Sequence, residues 1–476
     1  MEKGQALING KLLSSTNVIE ITSPNTLEVI GSVPALSLEN INDAFLAAKN
    51  VQKQWERLLI NERIKFIEQW KQLIIENTDA LANLMVLEIA KGKKAAISEI
   101  NRTIEYIDFT VNEAYRIYPE SYTGDAFNVK NKLAIFSRVA KGVVLAISPF
   151  NYPVNLSLAK IIPALIMGNT VVFKPASQSS LTGLFLAKLA FDANFPAGVI
   201  NAVTGKGSVI GDSLVTHPAI NVISFTGSDV TGKHITKITS KVDIILELGG
   251  KDPAIVLKDC DLAMTAKKIV KGAFSYSGQR CTAIKRVLVD NTIADELVSL
   301  IKVETEKLTV GSPNDNADIT PIIDMKTSDI LQKLVDDALE KKASLVLGNT
   351  RKNNLWYPTI IDNVTKDMDI AWIEPFGPVL PIIRVTSIDD EAITLANGSK
   401  YGLQASIFTN DIDMAVKIAN QLDVGSININ DVPQRGPDYL PFLGIKDSGM
   451  GVQGIREALL SMTRHKGIVF NWKAEK

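Results

Sequence analysis

The decapeptide YSGQRCTAIK (residues 276–285) places Cys281 directly after Arg280, behind Ser277, Gly278 and Gln279 and ahead of Thr282. Small, polar and cationic neighbours describe an accessible, electropositive setting, which predicts a thiol that ionises easily and acts as a nucleophile. The competing reading is a small buried hydrophobe, and Cys260 in LKDCDLA fits that description. A cysteine hydrolase would need a histidine base, yet His217, His234 and His465 stand in no suggestive context. A carboxylate is the better candidate. Glu247 ends the otherwise apolar run VDIILELGGK, where burial is expected to raise its pKa toward the general-base range. Pairing with Lys251 is the alternative. Asn151, in ISPFNYPVNLSL, sits between two prolines that restrict the backbone. An amide held there suits an oxyanion donor and serves equally as a turn former.

Three turns that follow predicted strands bear on a cofactor. TGKGSVIG (204–211) and FTGSDVTG (225–232) are glycine-rich, with Gly207 in the first and Gly227 and Ser228 opening a helix in the second. Free N–H groups at such a helix start can face a pyrophosphate. Neither matches the full dinucleotide fingerprint, and each alone reads as a tight turn. The third, FKPAS (173–177), offers Lys174 and Ser177. Ligands of open α/β sheets sit beyond the carboxyl ends of strands, so the three together favour a dinucleotide. An unphosphorylated ribose is usually met by a carboxylate. Here a cation and a hydroxyl stand instead, which suits a 2′-phosphate and so NADP ahead of NAD. The bland reading is a strand-end lysine in solvent.

Runs such as GVVLAIS, NTVVFKP, GVINAVTG, NVISFTG and DIILELGG are short, apolar and rich in β-branched residues, and most precede a helical pattern. Buried parallel strands with helical crossovers read this way. A second series, PAIVL, RVLVD, ASLVLG, VLPIIRVT, QASIFT and VGSININ, is expected to continue in the same manner. Before them, LENINDAFLAAKNVQKQWERL and NERIKFIEQWKQLIIENTDALANLMVLEIA carry helical periodicity. The chain therefore predicts an α/β protein of two doubly wound halves. HKGIVFNW near the end reads as a strand at a sheet edge.

A chain of 476 residues is long enough for two or three packed units. With 51 Lys and Arg against 52 Asp and Glu, its formal charge is -1, which argues against nucleic acid and polybasic membrane binding. Any anion site must then be a local cluster. Two cysteines suit a reducing compartment, and neither a signal peptide nor a bilayer-spanning run is evident, so a cytoplasmic location is expected. Two distant cysteines and three scattered histidines give no metal-ligand spacing, so no metal is expected.

SPFNYP, GNTVVFKPA, FTGS, ELGGKDPAIV, SGQRCTA, EPFGPVLPI and YGLQASIFT, in this order, resemble the aldehyde dehydrogenase superfamily from about residue 5 onward. NYPVNL, SGQRCTAIKRVLV and QRGPDYLPFLGIKDSG resemble most the bacterial NADP-dependent non-phosphorylating glyceraldehyde-3-phosphate dehydrogenases within it. The resemblance implies Cys281 as nucleophile, Glu247 as base and Asn151 as oxyanion donor. It further implies a substrate phosphate held by Arg280, Tyr152, Arg435 and Arg102, and Glu374 and Phe376 on the nicotinamide ribose side. It implies a cofactor domain over 1–118 and 141–247, completed by 437–454, and a catalytic domain over 248–436. An oligomerisation element over 119–140 and 455–476 would build a homotetramer. An aldehyde dehydrogenase acting on another anionic aldehyde, such as a semialdehyde, is the alternative within the class. A non-catalytic nucleotide-binding protein is the alternative outside it.

Overall fold

The computed structural model describes residues 2–472; Met1 and residues 473–476, the ends of the expected 1–118 and 455–476 segments, lie outside the described residues. Two large sheets carry the chain. In the first, the strands Asp243–Glu247, Ile220–Thr226, Val143–Ile147, Thr170–Lys174 and Ile200–Ala202 lie side by side and parallel. Antiparallel strands flank them, Gly449–Met450 at one edge and Ala6–Ile8 with Lys11–Leu13 at the other. The chain builds outward from Val143–Ile147 on one side, then returns to build outward on the other. That reversal opens a crevice at the carboxyl ends of the central strands.

The second sheet runs Ser344–Leu347, Thr359–Asp362, Val379–Val385, Arg286–Asp290, Pro253–Val256, Gln404–Phe408 and Ser426–Ile429. All its pairings are parallel except the first, where Ser344–Leu347 meets Thr359–Asp362 antiparallel. This corrects the expectation of parallel strands throughout. The link between those two strands is a short excursion with no helix, and a parallel pairing needs a crossover.

Of the early helices, Leu38–Arg57 packs on the first sheet, while Ile60–Glu76, Thr78–Ile89 and Lys93–Ala114 pack on one another and on helices Asn155–Ile166 and Ser180–Asp192, with Trp55, Trp70 and Ile67 among the fully buried side chains. Between the two sheets' segments, helix Asn155–Ile166 is buried at every position. Among the small sheets, one joins Glu120–Thr123, Lys132–Ala140 and Thr463–Asn471, the last antiparallel to Lys132–Ala140 along nine residue pairs. Of that last strand only Thr463 is buried. No helix among the described residues is long and apolar enough to cross a membrane.

Candidate active site

The crevice predicted by the strand order is a cleft of about 510 Å3. Its walls are strand ends and the loops that follow them: Ile147 to Asn151, Lys174 with Ser177, Phe225 to Ser228, and Leu248 with Gly249. Cys281, Glu374 and Phe376 enter from the segments before and within the second sheet. The cleft thus gathers Asn151, Cys281, Lys174, Ser177, Gly207, Gly227, Ser228, Glu374 and Phe376 into one space.

Two helices begin at its rim. Gly207 is the first residue of helix Gly207–Val215, with open space where a side chain would start. Ser228 caps helix Asp229–Ile238, its hydroxyl accepting from the Thr231 N–H. Both starts present unpaired N–H groups and partial positive charge. Lys174 lies between them. It is buried, its Nζ donates only to the neighbouring Pro175 carbonyl (3.2 Å), and burial pushes its pKa down to about 8. A buried ammonium without a carboxylate is costly until an anion reaches it. Ser177, half-buried, opens a short 3-10 turn beside it.

Cys281 is a free thiol, half-buried, on a loop under backbone strain. Tyr276, Ser277 and Gly278 have φ of 52°, 53° and 72°, three consecutive left-handed residues. Only glycine fits at 278, because a Cβ would lie 2.3 Å from the Gly377 carbonyl oxygen. The two others cost roughly 1–2 kcal/mol each, and the loop is pinned in compensation. Ser277 Oγ donates to the Thr320 carbonyl (2.8 Å) and accepts from its N–H (2.9 Å), while Gln279 Oε1 accepts from the Ile323 N–H (2.9 Å). Asn151 Nδ2 donates to the Gln279 carbonyl at 2.9 Å, which ties the amide to the cysteine loop and leaves its second N–H free.

Burial pushes the Cys281 thiol up to about 11; Lys285 opposes this, and Glu247, Asp252 and Glu374 add to it. The expected ease of ionisation is therefore not met, because burial outweighs the one cation that favours the thiolate. Arg280 is not that cation, because its Nη2 turns away to the Gly272 carbonyl (2.5 Å) and its buried Nε has no partner. Lys285 Nζ instead donates to the Cys281 carbonyl (2.8 Å) and pairs with Glu374. Glu374 also accepts from the Gly250 N–H (3.2 Å) and approaches Gly249 so closely that a Cβ there would lie 2.1 Å from its oxygen. Phe376 meets Phe150 edge-on at 5.9 Å.

Glu247 is buried, as expected, but its pKa moves the other way. Burial pushes it up, and Arg435, Lys160 and the Thr226 hydroxyl together outweigh that and hold it at about 2. Lys160 Nζ lies 3.0 Å from Glu247 Oε2, Thr226 Oγ1 donates to the same oxygen at 2.6 Å, and Arg435 pairs with Oε1. Lys251, the partner considered from sequence, is buried with its Nζ unpartnered. Of the predicted arginines the structure brings Arg102 and Arg435 together, whereas Arg280 bonds elsewhere, and none of them lines the cleft. Arg102 forks onto the Asp438 carboxylate at 2.9 and 2.8 Å and donates to the Arg435 carbonyl, and Arg435 lies over the Phe442 ring. Tyr152 packs edge-on against Tyr276 at 6.2 Å.

Sequence reasoning missed the groups that hold these residues in place. Lys91 and Glu99 form a buried ion pair. Lys91 Nζ donates to the Asn151 carbonyl (2.9 Å) and lies 3.7 Å from the Tyr152 ring centroid. Glu99 Oε1 accepts the N–H groups of Val154 (2.9 Å) and Asn155 (3.0 Å), where helix Asn155–Ile166 starts. Lys160 did leave a signal, as the only charged residue of that wholly apolar-facing helix. Histidines take no part: His217 stacks on Phe45, while His234 and His465 face surface carboxylates. Among the described residues no group of His, Cys, Asp or Glu is placed to hold a metal ion.

The cleft can therefore hold a dinucleotide with a thiol and an amide donor in its walls, while Glu247, held by Lys160, Thr226 and Arg435, is not among the residues that line it. A model of the aldehyde dehydrogenase family matches residues 12–468. The NADP-dependent glyceraldehyde-3-phosphate dehydrogenase of Streptococcus equinus is 49% identical over 466 residues, covering 98% of each chain. Its counterpart from Pisum sativum is 44% identical over 465 residues, 97% of this chain and 93% of its own. The solved structure of the NADP-dependent glyceraldehyde-3-phosphate dehydrogenase from Bacillus halodurans C-125 complexed with NADP shares 53% identity and superposes with a TM-score of 0.98, over 99% of this chain and 100% of that one. The chain belongs to the aldehyde dehydrogenase family.

Proposed function

We propose that this protein oxidises D-glyceraldehyde 3-phosphate to 3-phosphoglycerate with NADP and water, consuming no inorganic phosphate. The observation that carries the reading is the single cleft in which Cys281 and Asn151 share walls with the buried, unpaired Lys174. Lys174, Ser177, Gly207, Gly227 and Ser228 would hold the dinucleotide, with the 2′-phosphate meeting the Lys174 ammonium, and Glu374 and Phe376 would border the nicotinamide ribose. NADP, when bound, takes up the hydride that leaves the substrate carbon.

Cys281 adds to the aldehyde carbon as its thiolate, the proton having passed to solvent, and negative charge develops on the carbonyl oxygen. The free N–H of the Asn151 amide and the Cys281 backbone N–H supply donors to that oxygen. Loss of hydride leaves a thioester on Cys281. Glu247 then directs a water onto it. A carboxylate held at about 2 is a weak base. Arg435, which holds it there, is also one of the residues assigned to the substrate phosphate, so phosphate binding would draw Arg435 off and return basicity to Glu247. Arg102, Arg280 and Tyr152 complete the phosphate site, and arginine's planar fork matches that group.

A second reading, a semialdehyde carboxylate as substrate, is favoured by one observation: Arg102 already grips a carboxylate, that of Asp438. The three-stranded sheet supports a homotetramer, since Ile468, Val469 and Phe470 of its edge strand stand about half exposed, at 55%, 51% and 46%. The test is NADPH formation from glyceraldehyde 3-phosphate without inorganic phosphate, compared with NAD and with succinic semialdehyde. Faster turnover of the semialdehyde, or a requirement for phosphate, overturns the proposal.

A further inference from the structure

A second cleft, of about 540 Å3, opens between the start of helix Lys93–Ala114, the end of helix Leu262–Phe274 and the segments around Glu304–Leu308 and Asn316–Thr320. It shares no lining residue with the cofactor cleft. Four lysines line it, Lys94, Lys267, Lys271 and Lys307. Two carboxylates also line it, and both are engaged. Glu304 pairs with Lys307 at 2.6 Å, and Asp318 accepts from the N–H and hydroxyl of Thr309 at 2.9 and 2.7 Å. Lys94, Lys267 and Lys271 form no ion pair among the described residues. Lys267 and Lys271 stand four residues apart on one helix, a like-charge spacing that destabilises a helix unless an anion relieves it.

The walls of this cleft lead directly to the catalytic groups. Tyr276 lines it, donates its hydroxyl to the Ile89 carbonyl (3.2 Å) and packs against Tyr152. Thr320 lines it and holds Ser277, four residues before Cys281, by the paired hydrogen bonds already described. Gly92 lines it beside Lys91, which supports the Asn151 turn and lies over the rings of both Tyr152 and Tyr276. A movement of either wall reaches the cysteine loop and the oxyanion turn together.

We propose that this cleft binds a phosphate dianion, as a small phosphate ester or as the free ion, and that filling it changes the turnover at Cys281. The effect on turnover rests on the reading of Cys281 as nucleophile; the binding does not. The experiment titrates the intact protein calorimetrically with glucose 6-phosphate and with inorganic phosphate, then measures kcat with each at saturating aldehyde and NADP. The comparison is the Lys267→Gln/Lys271→Gln double variant, whose changes are on exposed side chains. Expected is binding at least tenfold weaker in the variant, a ligand-dependent kcat in the wild type alone, and unliganded turnover within twofold between the two. Tighter binding of the ester identifies a phosphorylated metabolite as occupant, and tighter binding of phosphate identifies the free ion. Equal affinity of both proteins for both anions, or inhibition that is purely competitive with aldehyde, overturns the proposal. Failure of the proposed activity would be read separately, as no NADPH formed from any aldehyde in the absence of added anion.

Discussion

The elevated thiol of Cys281 gives a prediction that can be worked through. Burial holds it at about 11, against 9.0 for an ordinary thiol. Two pKa units correspond to about 2.7 kcal/mol against the thiolate. At pH 8 about one molecule in a thousand then carries the anion, against roughly one in ten for a solvated thiol. Iodoacetamide reacts with the thiolate, so the ligand-free protein is expected to alkylate at Cys281 about a hundredfold more slowly than its unfolded chain. The rate should climb tenfold per pH unit without a plateau below pH 10. Restricted access would lower the rate at every pH alike, so the slope carries the inference. Lys285 is the neighbouring cation that opposes the shift. Lys285→Met removes it and frees the Glu374 carboxylate it pairs with, and both changes disfavour the anion. One charge at an effective dielectric of about 20 is worth a few kcal/mol at this range, so a further tenfold slowing or more is expected at pH 9. Rates would be followed by mass spectrometry of the peptide containing Cys281. A plateau below pH 9, or faster alkylation in Lys285→Met, would refute burial as the controlling cause.

Other outcomes follow from the same geometry. Asn151→Ala is expected to lower kcat by about 10²–10³ with little change in KM, since the amide acts on charge that exists only after attack; steady-state kinetics checks this, and a loss below fivefold would leave Asn151 a turn residue. Lys174→Met should raise the KM for NADP far more than that for NAD if, as proposed, the ammonium meets only the 2′-phosphate; equal effects would place it elsewhere. Glu88 is buried and accepts from Leu181 and Thr182, yet burial raises its pKa to about 7 from 4.5. Its folded pKa is the higher one, so its contribution is present below pH 4.5 and is lost as pH rises through 7. The loss is about 3 kcal/mol at most, and Glu88→Gln should flatten the fall in urea-unfolding stability between pH 5 and 7.5.

Several residues of the candidate cleft could be picked out from sequence because strand ends can. Asn151, Lys174 and Glu247 close apolar runs that read as buried strands, and beyond such ends ligands gather. The electrostatics were not legible. The pKa of Glu247 is set by Lys160, 87 residues before it, and by Arg435, 188 residues after it. Arg102 reaches Asp438 across 336 residues, and the Lys91–Glu99 pair gains its meaning from a turn some 55 residues on. No local window contains both members of these contacts. Arg280 shows the same limit, since adjacency to Cys281 in sequence says nothing of where a long side chain turns.

The edge pairing of Gly449–Met450 with Leu246–Glu247 has a consequence for how the protein is made. Synthesis proceeds from the amino terminus, so the five parallel strands that form the cofactor crevice emerge by residue 247 and can assemble early. Glu247 must then wait almost two hundred residues for Arg435, and slightly longer for the strand that covers its backbone. A nascent chain stalled near residue 430 would own the crevice and the thiol but not the finished surroundings of Glu247. Long-range closure of this kind is slow and leaves an open sheet edge in the meantime. The last part of the chain to mature on the ribosome is thus the corner to which the proposed hydrolysis is assigned.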